Sequence, residues 1–187
     1  MSLAHEEAHF CGVTWSNADS FAVQWMNRVQ NWTVVTLCPT RGLGECVEIF
    51  SDAKSDGYID YKYKIHFNPN NEGGSSDFAT ILADSRQDAR YQQLLVVSQN
   101  SKTFLTSEEA DVMEITKWAK DGYIYYTSTL PGQPGTRHFY RVPSPNLRHS
   151  NPALARAGPE CLSCNLSDEA SPLHRRACEY YLSLIHI

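Results

Sequence analysis

The chain has 187 residues, with 16 Lys and Arg against 21 Asp and Glu and a formal net charge of −5. That acidic balance leaves no basic surplus to neutralise phosphates and argues against nucleic acid as a partner. No apolar run approaches the ~20 residues that a membrane-spanning helix needs. Hydrophobic residues make up 42% and aromatics 11%, which is enough for a core and favours strands over helices.

In chain order, the first seven residues carry neither a basic segment nor an apolar stretch, so no signal peptide is read there. Residues 10–15 read as a strand, 17–20 as a turn, and 21–26 and 32–37 as two more strands. Residues 61–67 begin a similar series. A Pro-, Asn- and Gly-rich stretch at 68–76 reads as a long turn, followed by strands at 78–83 and 91–97. A third series begins with a strand at 112–118 and turns at 120–122. It continues with a strand at 123–127, a loop at 131–135 and a strand at 138–142. One choice of codons for residues 182–187 spells a transposase adapter used in library preparation. That hexapeptide is expected to be a translated artefact, and the chain a fragment of a longer one.

The first strands of the three series end at Trp15, Phe67 and Trp118, which are 52 and 51 residues apart. A repeat of that length carrying several short strands points to propeller blades over an ordinary β-sandwich. The expected fold is all-β, with about three consecutive blades. Trp15, Trp25, Trp118 and the Tyr pairs recur at matching places and read as packing between blades. Arg28 and Gln30 read as groups that satisfy backbone and neighbouring blades.

Several patterns carry possible chemistry. His5-Glu6-Glu7-Ala8-His9 satisfies H-E-x-x-H, but it sits at the N-terminus and runs into a strand, where a zinc site needs a helix. Gly73-Gly74-Ser75-Ser76-Asp77 approaches a nucleophile elbow but lacks the last Gly and the strand–turn–helix setting. No catalytic residue is therefore assigned. Cys161-x2-Cys164-x9-His174-x3-Cys178 reads either as a zinc site or as a disulfide region, and an oxidising compartment favours the disulfide. No metal and no cofactor are assigned. Cys38 and Cys46 flank a short Gly-containing loop that a bridge would close. Cys11 reads as a buried free thiol. Asn31-Trp32-Thr33 and Asn165-Leu166-Ser167 are N-glycosylation acceptors.

Cys11-Gly12-Val13-Thr14-Trp15 and the stretch from Gln24-Trp25 through Arg28 and Gln30-Asn31 to Thr33 resemble the propeller of the dipeptidyl peptidase IV family. Asp121-Gly122-Tyr123-Ile124-Tyr125-Tyr126, Gly135-Thr136-Arg137-His138-Phe139-Tyr140 and Cys161-Leu162-Ser163-Cys164 followed by Cys178-Glu179-Tyr180-Tyr181 are similar to later motifs of the same family, in the same order. The resemblance divides the chain into an extension at 1–9, a partial propeller at 10–181 and the artefact at 182–187. It implies an eight-bladed propeller packed on an α/β-hydrolase domain whose Ser–Asp–His triad removes dipeptides ending in Pro or Ala from N-termini. This chain would then be a structural and substrate-gating part of an extracellular serine peptidase. The alternative is the ectodomain of a non-catalytic binding or channel-associated relative. The implied partners are the missing blades, the hydrolase domain, the parent's peptide substrates and a second parent chain in a homodimer. The parent would be secreted, or anchored by a segment upstream of Met1. The resemblance also implies a Cys38–Cys46 bridge, a second bridge from Cys178 to Cys161 or Cys164 (Cys164 being preferred), and glycans at Asn31 and Asn165.

Overall fold

A computed structural model describes residues 8–41, 44–55, 57–59, 64–71, 76–84, 91–99 and 101–164. Its strands form three antiparallel sheets of four, and each strand pairs with its neighbour in the chain. The first sheet is β1 (Ala8–Trp15), β2 (Ser20–Asn27), β3 (Trp32–Pro39) and β4 (Val47–Ala53). The second is β5 (His66–Phe67), β6 (Phe78–Ala83), β7 (Gln92–Ser98) and β8 (Ser101–Phe104). The third is β9 (Val112–Trp118), β10 (Tyr123–Leu130), β11 (Gln133–Pro143) and β12 (Glu160–Cys161). Three such meanders in succession are the blades of a propeller fragment.

The middle sheet shows how the blades stack. Along β7, Leu95 and Val97 join Ala22, Val35, Phe50, Ile65 and Phe78 in one buried cluster. The alternate residues, Leu94 and Val96, join Val112, Ile115, Trp118, Ile124, Tyr126 and Val142 in another. Period-two alternation thus sends successive side chains into two different cores. This is why β7 reads as a continuous apolar run: both of its faces are covered.

Strand β9 departs from simple alternation. Val112, Ile115 and Trp118 are buried at intervals of three. Two register shifts against β10, between Tyr125 and Tyr126 and between Thr127 and Ser128, each insert an extra residue. The bulges turn all three buried side chains to one face.

Four features differ from the sequence reading. Each sheet has a fourth strand paired with its third: the seven-residue β4, and the short β8 and β12. Strand β1 begins at Ala8, two residues early. The loop expected at 131–135 is a two-residue turn at Pro131-Gly132, with Gly132 at φ 71°. Pro at the first central position and a left-handed Gly at the second are what such a tight turn requires. A short helix, α1 (Pro145–Ser150), follows β11, with the Ser144 side chain accepting from the Leu147 N–H and Pro145 opening the first turn.

Candidate functional site

The ends of the three first strands converge. Trp15 of β1, His66 and Phe67 of β5, and Lys117 and Trp118 of β9 line one open cavity of about 280 Å³. The residues that set the repeat in the sequence therefore meet in space. Burial lowers the pKa of His66, and the nearby Glu114 carboxylate opposes that shift. Trp118 is buried in the core, as expected. Trp15 corrects the expectation: it is 65% exposed. It lies on the edge strand of the first sheet, where Phe21 packs edge-on against it at 5.8 Å. Trp25 is half-buried and donates its indole N–H to the Thr36 hydroxyl at 3.0 Å. Of the Tyr pairs, Tyr126 and Tyr140 are core residues, whereas Tyr123 and Tyr125 are half-exposed on the outer face of the third sheet.

The turn from β2 to β3 is built by Asn27. Its carboxamide oxygen accepts the N–H groups of Asn31 and Trp32, and its amide donates to the Asn31 side-chain oxygen at 2.7 Å. Gln30 takes a left-handed conformation at φ 61°, and its carbonyl accepts from Ile59 in the stretch leading to the second sheet. Arg28 is exposed. In the glycosylation triplet, Thr33 is 2% exposed and donates its hydroxyl to the Trp25 carbonyl at 2.9 Å. Asn165 lies outside the described residues.

Cys38 and Cys46 are joined by a disulfide, with Cα atoms 4.2 Å apart across the β3–β4 loop. The second bridge joins Cys161 to Cys164, Cα atoms 5.6 Å apart. It differs from the preferred Cys164–Cys178 pairing because the turn after β12 folds Cys164 back onto Cys161, with the Cys164 N–H donating to the Cys161 sulfur. Cys178 and His174 lie outside the described residues. Cys11 is a free thiol on β1, half-buried, and desolvation raises its pKa, the opposite of what a nucleophile needs. His9 is extended in β1 opposite Met26, so it does not have the helical geometry of an H-E-x-x-H site. His5 and Glu6 lie outside the described residues, as do Gly73 to Ser75 of the near-elbow.

One grouping was not legible in the sequence. His138, on β11, comes to the Cys161–Cys164 pair because β11 and β12 align Tyr140 with Cys161. No spacing rule links residues 23 positions apart across an antiparallel pairing.

Among the described residues no helix is long and apolar enough to cross a membrane. A model of the family described as "Dipeptidyl peptidase IV (DPP IV) N-terminal region" matches residues 1–184. Dipeptidyl peptidase 4 of Sus scrofa is 24% identical over 181 residues, spanning 92% of this chain and 21% of the relative. Venom dipeptidyl peptidase 4 of Vespula vulgaris is 26% identical over 163 residues, spanning 82% and 19%. The crystal structure of Porphyromonas gingivalis dipeptidyl peptidase 4 superposes with a TM-score of 0.63 at 20% identity, covering 84% of this chain and 20% of that one. The chain thus spans about a fifth of the length of these relatives, and it belongs to the dipeptidyl peptidase IV N-terminal region family.

Proposed function

We propose that the chain is a propeller segment of an extracellular serine-type dipeptidyl peptidase, acting as wall and substrate gate rather than as the catalyst. The observation that carries this reading is the family match over nearly the whole chain, together with three consecutive blades in chain order. The ends of the first strands of these blades bring Trp15, Phe67 and Trp118 to one cavity. An aromatic-lined mouth of this kind suits passage of extended peptides with apolar side chains. Two disulfides favour an oxidising compartment, and one relative is a venom protein by name.

The partners in this reading are the remaining blades, an α/β-hydrolase domain, the peptide substrates of the parent and a second parent chain. The exposed Phe10 and Val13 on the first sheet are then where a preceding blade packs. The test is an assay of the secreted parent protein on peptides with Pro or Ala at the second position. Release of N-terminal dipeptides, abolished by a serine-directed inhibitor, is the expected result. A folded, secreted parent that releases none overturns the catalytic part of the reading.

A further inference from the structure

Three metal-ligating groups meet where β11 pairs with β12. A ring nitrogen of His138 and the sulfurs of Cys161 and Cys164 all lie within 4.8 Å of one another. His138 is 8% exposed, Cys161 is half-buried and Cys164 is exposed. The Ser163 hydroxyl lies 3.2 Å from His138 Nδ1 and accepts the Phe139 N–H at 2.9 Å, which fixes the plane of the imidazole. The Cys164 backbone N–H donates to the Cys161 sulfur at 3.0 Å, a contact that favours negative charge on that sulfur.

We propose that His138, Cys161 and Cys164 form a zinc site that is available only when the Cys161–Cys164 bridge is reduced, so that the disulfide and the metal exclude each other. Two sulfurs at C-x2-C spacing reach one ion without strain, and an imidazole adds a third ligand. The Ser163 hydroxyl beside Nδ1 is the kind of partner that orients a ligating histidine. With three protein ligands, water completes the tetrahedral set.

A thiol reductant gives two electrons to the bridge, its two thiols become a disulfide, and Cys161 and Cys164 gain one proton each. Zn²⁺ then displaces both protons to solvent and bonds both thiolates, while neutral His138 supplies a lone pair. Cys164 is exposed and can be reached by the reductant, and a bridge spanning three residues constrains the unfolded chain less than a longer one does. Cys38, by contrast, is buried.

The test uses the intact chain, reduced with a phosphine that leaves as the phosphine oxide. Cobalt(II) serves as the probe and is then displaced by zinc. One equivalent of metal with a thiolate-to-cobalt charge-transfer band is expected after reduction, and none before it. The band should persist in C38S/C46S and vanish in C161S/C164S. His138→Asn should weaken zinc binding at least tenfold, and Ser163→Ala by less. Because His138→Asn can disturb the sheet, the imidazole ¹⁵N shifts of His138 in the reduced wild type are followed as zinc is added, and they should move. Absence of stoichiometric metal after reduction, or unmoved His138 shifts, overturns the site. So does loss of binding in Cys178→Ser with His138→Asn unaffected.

Discussion

Tyr126 and Tyr140 stack across the β10–β11 pairing, with ring centroids 5.5 Å apart and planes inclined by 17°. Both rings belong to the core between the second and third sheets, and Tyr126 is 2% exposed. The pair thus links pairing within one blade to packing between blades. Truncating Tyr126 to Ala removes a buried aromatic and leaves a cavity, which costs about 3–5 kcal/mol in comparable cores. The midpoint of urea unfolding should fall accordingly. An unchanged midpoint would mean that the two sheets do not pack through this ring.

Alkaline pH should act on the same pair. Burial raises the pKa of Tyr126 far above the ordinary phenol value, and that of Tyr140 in the same direction. The folded state therefore keeps protons that the unfolded chain gives up. This stability is fully present below the unfolded-state value of about 10 and declines as pH rises above it. Tyr126→Phe should flatten that decline relative to wild type. Unfolding midpoints measured at several pH values between about 8 and 11 check this, and parallel curves would contradict it.

Gln93 is wholly buried, and its amide donates to the Glu108 and Ala110 carbonyls while its oxygen accepts from Thr106. The Thr106 hydroxyl oxygen in turn accepts the Leu94 N–H. Gln93→Ala strands the buried Ala110 carbonyl and Thr106 hydroxyl, at about 1–3 kcal/mol for each unsatisfied group before relaxation. Thr106→Val should cost less, and a double-mutant cycle should show coupling of about 0.5–3 kcal/mol. Additive effects would show that the network does not act as a unit.

The Asn31 triplet gives a sharper test than its sequence alone. Thr33 is buried and its hydroxyl is already engaged with Trp25, so a glycan must be added before β3 pairs with β2. In protein expressed through a secretory route, Asn31→Gln and Thr33→Val should each remove one N-glycan by glycosidase gel shift, and Thr33→Ser should keep it. No shift for Asn31→Gln would remove this residue from the glycosylated set.

Removing the Cys38–Cys46 bridge with a C38S/C46S pair should cost about 2–3 kcal/mol, mostly by freeing the unfolded chain. Urea unfolding under non-reducing conditions reads this directly. A loss well below that range would mean that the β3–β4 loop is held by other contacts.

The repeat was legible because Trp15, Phe67 and Trp118 end strands that the fold makes equivalent. The fourth strand of each sheet was not. Ser101–Phe104 is short and mostly polar, and Glu160–Cys161 has only two residues, so neither shows a period. The burial of Val112, Ile115 and Trp118 at intervals of three depends on bulges that only pairing with β10 reveals. The exposure of Trp15 depends on what lies beyond β1, which composition does not encode. The Cys161–Cys164 bridge is set by the turn that follows β12, and His138 joins it through strand register.

A long-read sequence of the transcript through codon 181 tests directly whether this chain is part of a dipeptidyl peptidase. The reading frame is expected to continue past Tyr181 through further blade repeats into an α/β-hydrolase domain, with an intact G-x-S-x-G and later Asp and His. A continuing frame that encodes no such domain, or one whose nucleophile is replaced, would contradict the assignment of this chain to a dipeptidyl peptidase.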